Sequence, residues 1–167
     1  METSVMNKCK LLSEPIKKDS QETETDYKDK IYPVYQEIFY NTGVYFMGKR
    51  VFPIKTPMHG KYEDSFYHMT TRKWERYSSY EHRELDYART SKIHWIIDLL
   101  NNYPCNDTCC EGALVWKERR RTHIFLQIES YLIVLEDRNG YYTIVTAHVI
   151  FKAEEKRNLI KRYNSYK

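Results

Sequence analysis

Asn139-Gly140 lies between two runs of strand-forming residues, and no other feature of the chain limits its fold so strongly. The pair suits a type I′ turn, which needs two left-handed residues and twists with the strands it joins. Tyr131 to Glu136 before it and Tyr141 to Phe151 after it are expected to form an antiparallel hairpin. Upstream, Ile124, Leu126 and Ile128 alternate within Thr122 to Glu129, and Ala113 to Lys117 supplies a further strand. A two-residue turn also sets a register in which His148 faces Tyr131 and Thr146 faces Ile133. Tyr142, Thr146 and His148 then share one face of the sheet.

Helical spacing appears elsewhere. Leu85, Ala88, Ile93, Ile96, Ile97 and Leu100 predict a helix over 85–102, stopped at Asn101-Asn102 with Pro104 beyond. Ile31, Val34, Tyr35 and Ile38 predict a shorter one over 31–40, with Pro33 in its first turn. Val44 to Met47 and Arg50 to Phe52, around Gly48-Lys49, read as a small hairpin, and Ser65 to Thr71 as a strand end. Leu159, Ile160 and Tyr163 mark a terminal helix within Ala153 to Tyr166. The expected class is α+β: a helix packed on a four-stranded antiparallel sheet, with an N-terminal α/β extension. Residues 1–30 read as a polar, mobile arm, because Lys17 to Asp26 holds too few apolar side chains to offset its ordering entropy. Residues 31–64 read as an accessory helix-hairpin layer, and 65–167 as the main domain.

The formal net charge of +4 is unevenly placed. Residues 1–67 carry ten basic and ten acidic side chains, whereas 68–167 carry seventeen and thirteen. Ten of the eleven arginines lie in the later part, and with sixteen tyrosines they favour a partner bearing phosphates and bases, such as RNA. No apolar run approaches the roughly 18 residues of a membrane span, and Glu2, Lys8 and Lys10 interrupt any secretory h-region, so cytoplasm is expected and a membrane is not. Cys105, Cys109 and Cys110 cluster without the paired spacing of a structural zinc site and are expected to be reduced thiols. Walker, H-E-x-x-H and G-x-G-x-x-G motifs are lacking, so neither metal nor cofactor is expected.

Several polar side chains could converge on one sheet face: His68 with Thr70, Arg89 and Lys92 on the long helix, Lys117 and Arg121 at a hairpin tip, and Thr146 and His148 on the last strand. Each also has a plain structural role open to it. His148 suits a half-buried position beside a core tyrosine, Arg89 an ion pair with Asp86 or Glu84, Lys117 to Arg121 a solvated tip, and His68 a loop.

The segments Phe66-Tyr-His68-Met-Thr70, Arg89-Thr-Ser-Lys92-Ile-His-Trp95-Ile96, Val115-Trp116-Lys117, Tyr131-Leu-Ile-Val-Leu135 and Tyr141-Tyr142-Thr-Ile-Val-Thr146-Ala147-His148 resemble, in this order, the phage-associated branch of the barnase–EndoU–colicin E5/D–RelE (BECR) nuclease fold. The likeness covers roughly 65–151, and His148 replaces that branch's usual aromatic. It implies a toxin-like, metal-independent endoribonuclease that leaves 2′,3′-cyclic phosphate ends. His68 and His148 would then be acid and base, with Arg89, Lys117, Arg121 and Thr146 around the phosphate. Thr70, Lys92, Tyr131 and Tyr142 would contact the substrate. The implied partners are RNA, tRNA or another structured RNA included, and a cognate antitoxin or immunity protein. The alternative is a non-catalytic RNA- or protein-binding module of a phage or mobile element.

Overall fold

A computed structural model describes residues 9–73, 83–105 and 112–167. Helix α1 (Glu24–Gln36) starts at a reciprocal cap in which Thr23 Oγ1 accepts from Asp26 N at 3.0 Å and Asp26 Oδ2 accepts from Thr23 N at 3.2 Å. Its fourth-residue repeat Tyr27, Ile31, Tyr35 is fully buried, and it runs on into a π-helical turn over Glu37–Thr42. Strands β1 (Val44–Phe46) and β2 (Lys49–Phe52) form the small hairpin. Next come α2 (Asp64–Thr70), the short ribbon of β3 (Thr71–Lys73) with β4 (Arg83–Leu85), α3 (Tyr87–Thr90) and α4 (His94–Leu100). The meander is β5 (Ala113–Glu118), β6 (Arg121–Leu126), β7 (Tyr131–Asp137) and β8 (Tyr142–Val149), and α5 (Ala153–Tyr166) follows it.

The α+β class holds, but the sheet has six strands, in the order β1-β2-β8-β7-β6-β5, rather than four. The β1–β2 hairpin joins it through a parallel pairing of Val51 and Phe52 with Tyr142 and Thr143, so the expected accessory layer shares the main sheet and its core. One face packs on α1, α2 and α4 through Ile31, Phe66, Trp95, Ile133 and Ile144; α5 covers part of the other through Trp116, Phe125, Leu132, Val134 and Leu159.

Four expectations of local structure are corrected. From Cys9 onward the N-terminal segment is docked: Trp95 Nε1 donates to Ser13 O at 2.8 Å and Ile16 N to Ser91 O at 2.8 Å. Its backbone groups and the side chains of Cys9, Leu11, Leu12 and Ile16, all upstream of the polar stretch Lys17 to Asp26, hold it on the core. The single helix over 85–102 is two, because Asp86 caps α3 by accepting from Arg89 N at 3.0 Å and residues 91–93 form a turn before α4. Ser65 to Thr71 is mostly helix, with Phe66, Met69 and Thr70 buried at helical spacing, and Pro33 lies deep in α1 rather than in its first turn. The cysteine cluster lies outside the described residues except for Cys105.

Asn139 and Gly140 have φ of 60° and 109°, the two left-handed residues of the expected turn. Next to it the register is as predicted: Asp137 opposes Tyr142, and Leu135 opposes Ile144. Val145 is then an extra residue on β8, and beyond this bulge Val134 opposes Thr146 and Leu132 opposes His148. Thr146 and His148 are thereby moved off the face of Tyr131 and Ile133 and onto that of Leu132 and Val134.

Candidate functional site

β8 ends at a groove of about 810 Å³. Arg72, Lys73, Arg83, Arg89 and Lys152 line it, against the carboxylates of Glu84, Asp86 and Glu155, so cations exceed anions by two. His148 and the 68% exposed Phe151 line it as well.

The ribbon and α3 position the arginines. Arg89 is largely buried: its Nη1 donates to His68 O at 2.7 Å and to Thr71 O at 3.2 Å. Its Nε makes no hydrogen bond and lies 3.5 Å from Asp86 Oδ2, an ion pair without an aligned donor. Burial pulls this guanidinium below its ordinary range, opposed by the charge of Asp86. Arg83 supports the same corner, its Nη2 donating to Thr71 O at 2.6 Å and its Nε to Thr71 Oγ1 at 2.8 Å. Arg72 pairs with Glu84 at 3.1 Å across the ribbon.

His148 Nδ1 lies 3.0 Å from Thr146 Oγ1, two residues back on the same strand face. Burial, reinforced by Arg89 and opposed by Asp86, lowers its pKa to about 4. The ring is therefore neutral at pH 7. This has a consequence for stability. The unfolded chain protonates the imidazole near pH 6.5, whereas the folded one resists until about pH 4. The contribution is full above pH 6.5 and is lost as pH falls through that window. Between pH 6.5 and 4.5 urea denaturation should show a loss of about 2 kcal/mol from His148. His123, whose pKa burial and Arg162 also lower, adds to the loss. His148→Gln should flatten the dependence; an unaltered slope would refute the assignment.

The predicted site residues are divided by the fold. His148, Thr146 and Arg89 come together. His68 is adjacent through its backbone carbonyl, but its ring lies 3.2 Å from Asp64 Oδ1 and does not line the groove. Lys117, which pairs with Asp137 at 3.3 Å, is three strands and three residues from the position level with His148. Arg121 is two strands and four residues away. With about 4.8 Å between strands and about 3.3 Å per residue, both stand roughly 16–17 Å off along the sheet, too far to share its substrate phosphate. Tyr131 is fully buried, edge-on to Trp95 at 5.3 Å, and burial raises its phenol above the ordinary range. Thr70 is buried, its hydroxyl donating to Phe66 O at 2.8 Å, and Tyr142 packs on Phe46. None of these three can present itself to a base. Lys92 lies over the Trp95 ring at 5.3 Å. Sequence reasoning missed Arg72, Lys73, Arg83, Phe151 and Lys152. The density of charge on both sides of 74–82 and the lone aromatic after β8 were the available signals.

Comparison of the chain with protein-family models, with curated proteins and with solved structures gives no match. Among the described residues no helix is long and apolar enough to cross a membrane.

Proposed function

We propose that the chain is a toxin-like, metal-independent endoribonuclease that holds RNA in the groove at the end of β8. The observation that carries this reading is one neutral imidazole in a groove where five cations face three carboxylates. With Nδ1–H donated to Thr146, Nε2 of His148 takes the 2′-hydroxyl proton, and the oxygen attacks the adjacent phosphorus. The 5′-oxygen leaves and takes its proton from solvent, giving a 2′,3′-cyclic phosphate and a 5′-hydroxyl. Lys73, Arg83 and Lys152 stabilise charge on the non-bridging oxygens, and Phe151 stacks an unpaired base. A bound phosphate also raises the proton affinity of His148, so the base strengthens when substrate arrives. Activity of this kind in cytoplasm calls for a cognate inhibitor, which the resemblance to BECR toxins also implies.

RNA incubated with the protein without added divalent cations should yield cyclic-phosphate fragments, and a 2′-deoxy substitution at the cleaved nucleotide should block the cut. Lys73→Ala combined with Lys152→Ala should weaken RNA binding and flatten its salt dependence, by roughly 0.7 in log–log slope per phosphate contact removed. Products with 3′-hydroxyl and 5′-phosphate ends would refute this chemistry. Binding without cleavage would instead identify a non-catalytic RNA-binding module. That reading draws on the same cations and on the presence of one histidine, not two, among the described residues lining the groove.

A further inference from the structure

We propose that His59, Asp64 and His68 bind a single transition-metal dication of the zinc class, at a site separate from the groove and independent of the ribonuclease reading. Asp64 and His68 stand four residues apart on α2, hence on one face of the helix, and His59 reaches them from the preceding loop. His59 Nε2 lies 2.7 Å and His68 Nε2 3.2 Å from the same carboxylate oxygen, Asp64 Oδ1. The three ligand atoms all fall within 4.8 Å of one another. Ligands about 2.0–2.1 Å from a tetrahedral ion sit about 3.3 Å apart, so the cluster needs only a small adjustment to close on one. Two imidazole nitrogens with one carboxylate favour zinc and its transition-metal neighbours over magnesium or calcium, which take oxygen ligands.

The loop is fixed before any ion binds. His59 and Tyr62 exchange backbone hydrogen bonds of 2.8 and 3.1 Å, and the His59 ring stacks on Tyr67 with centroids 3.9 Å apart. Ile54 and Ser65 are tied twice, Ile54 N to Ser65 Oγ at 2.6 Å and Ser65 N to Ile54 O at 2.9 Å, which locks the loop onto the first turn of α2. The side chains of His59, Asp64 and His68 keep 26%, 17% and 38% of their surface exposed, leaving a path for the ion and a solvent molecule as fourth ligand. Because the His68 carbonyl accepts from Arg89, an ion here staples the loop to the helix that supports the groove. Its role is architectural, and no step in the groove passes through it.

Zinc chloride titrated into the full, reduced chain should bind in a saturable 1:1 step by calorimetry and raise the melting temperature by a few degrees, while magnesium chloride should do neither. His59→Ala with His68→Ala should remove that step, and Asp64→Asn, which preserves size, should weaken it at least tenfold. Cobalt bound to the wild type should give visible bands without a thiolate charge-transfer band. The proposal is overturned if the wild type binds no zinc, if both variants bind as the wild type does, or if the first cobalt equivalent carries the thiolate band.

Discussion

His148→Ala should slow RNA cleavage by about 10²- to 10⁴-fold, the usual range for loss of a positioned acid or base, and leave RNA affinity nearly unchanged. The affinity is expected to hold because the groove's charge comes from side chains on β3, β4, α3 and the start of α5, none of which rests on the imidazole. The pH profile supplies the sharper test. The profile of kcat/KM reports the free protein and should rise with a pKa of about 4, where burial and Arg89 place His148. The profile of kcat reports the RNA complex and should rise at higher pH, because a phosphate beside the ring favours its protonated form. Thr146→Val, which removes the partner of Nδ1, should lower kcat with little effect on KM. Far-UV circular dichroism would establish that each variant folds. Undiminished cleavage by a folded His148→Ala variant would remove this histidine from the mechanism.

Phe66→Ala should cost about 3–5 kcal/mol, the range for emptying a buried phenylalanine site. Its ring is fully buried, with centroids 4.7 Å from Tyr32, 5.3 Å from Tyr35 and 5.0 Å from Tyr62, so it joins α1, α2 and the intervening loop at one point. The neighbouring rings cannot simply fall into the space. Tyr35 Oη donates to Glu63 Oε1 at 2.7 Å, and Tyr62 Oη is held by Asp29. At about 2–4 °C per kcal/mol for a chain of this size, the melting temperature should drop by roughly 10 °C. A loss below about 1 kcal/mol in urea denaturation would mean that α1 and α2 do not depend on this aromatic cluster.

The meander, its turn and the terminal helix were legible in the sequence because they follow from local rules: two left-handed residues at Asn139-Gly140 and runs of strand-forming residues such as Ile124 to Leu126, which is buried on both faces. The parallel contact of β2 with β8 was not, since it joins Val51 to Tyr142 across ninety-one positions and leaves no periodic trace. Arg89 and His148 were readable as candidates from residue type alone. The separation of Lys117 and Arg121 from them was not, because it depends on which strands neighbour which. The His59, Asp64 and His68 cluster could have been noticed through the Asp64/His68 spacing of four, but only on a helix, and that segment reads as a strand end.

The bulge at Val145 acts on β8 as a frameshift acts on a message. Before it the even-numbered residues Tyr142 and Ile144 pack inward against the larger core; after it the odd-numbered Ala147 and Val149 do so, and the parity of everything downstream is exchanged. A saturation scan of this strand should therefore show tolerance alternating in one phase up to Ile144 and in the opposite phase from Thr146. Removing the single residue Val145 would restore unbroken alternation with Thr146 and His148 still opposite Val134 and Leu132, so the imidazole should keep its place at the groove, whereas filling the bulge with a second extra residue would exchange the parity again.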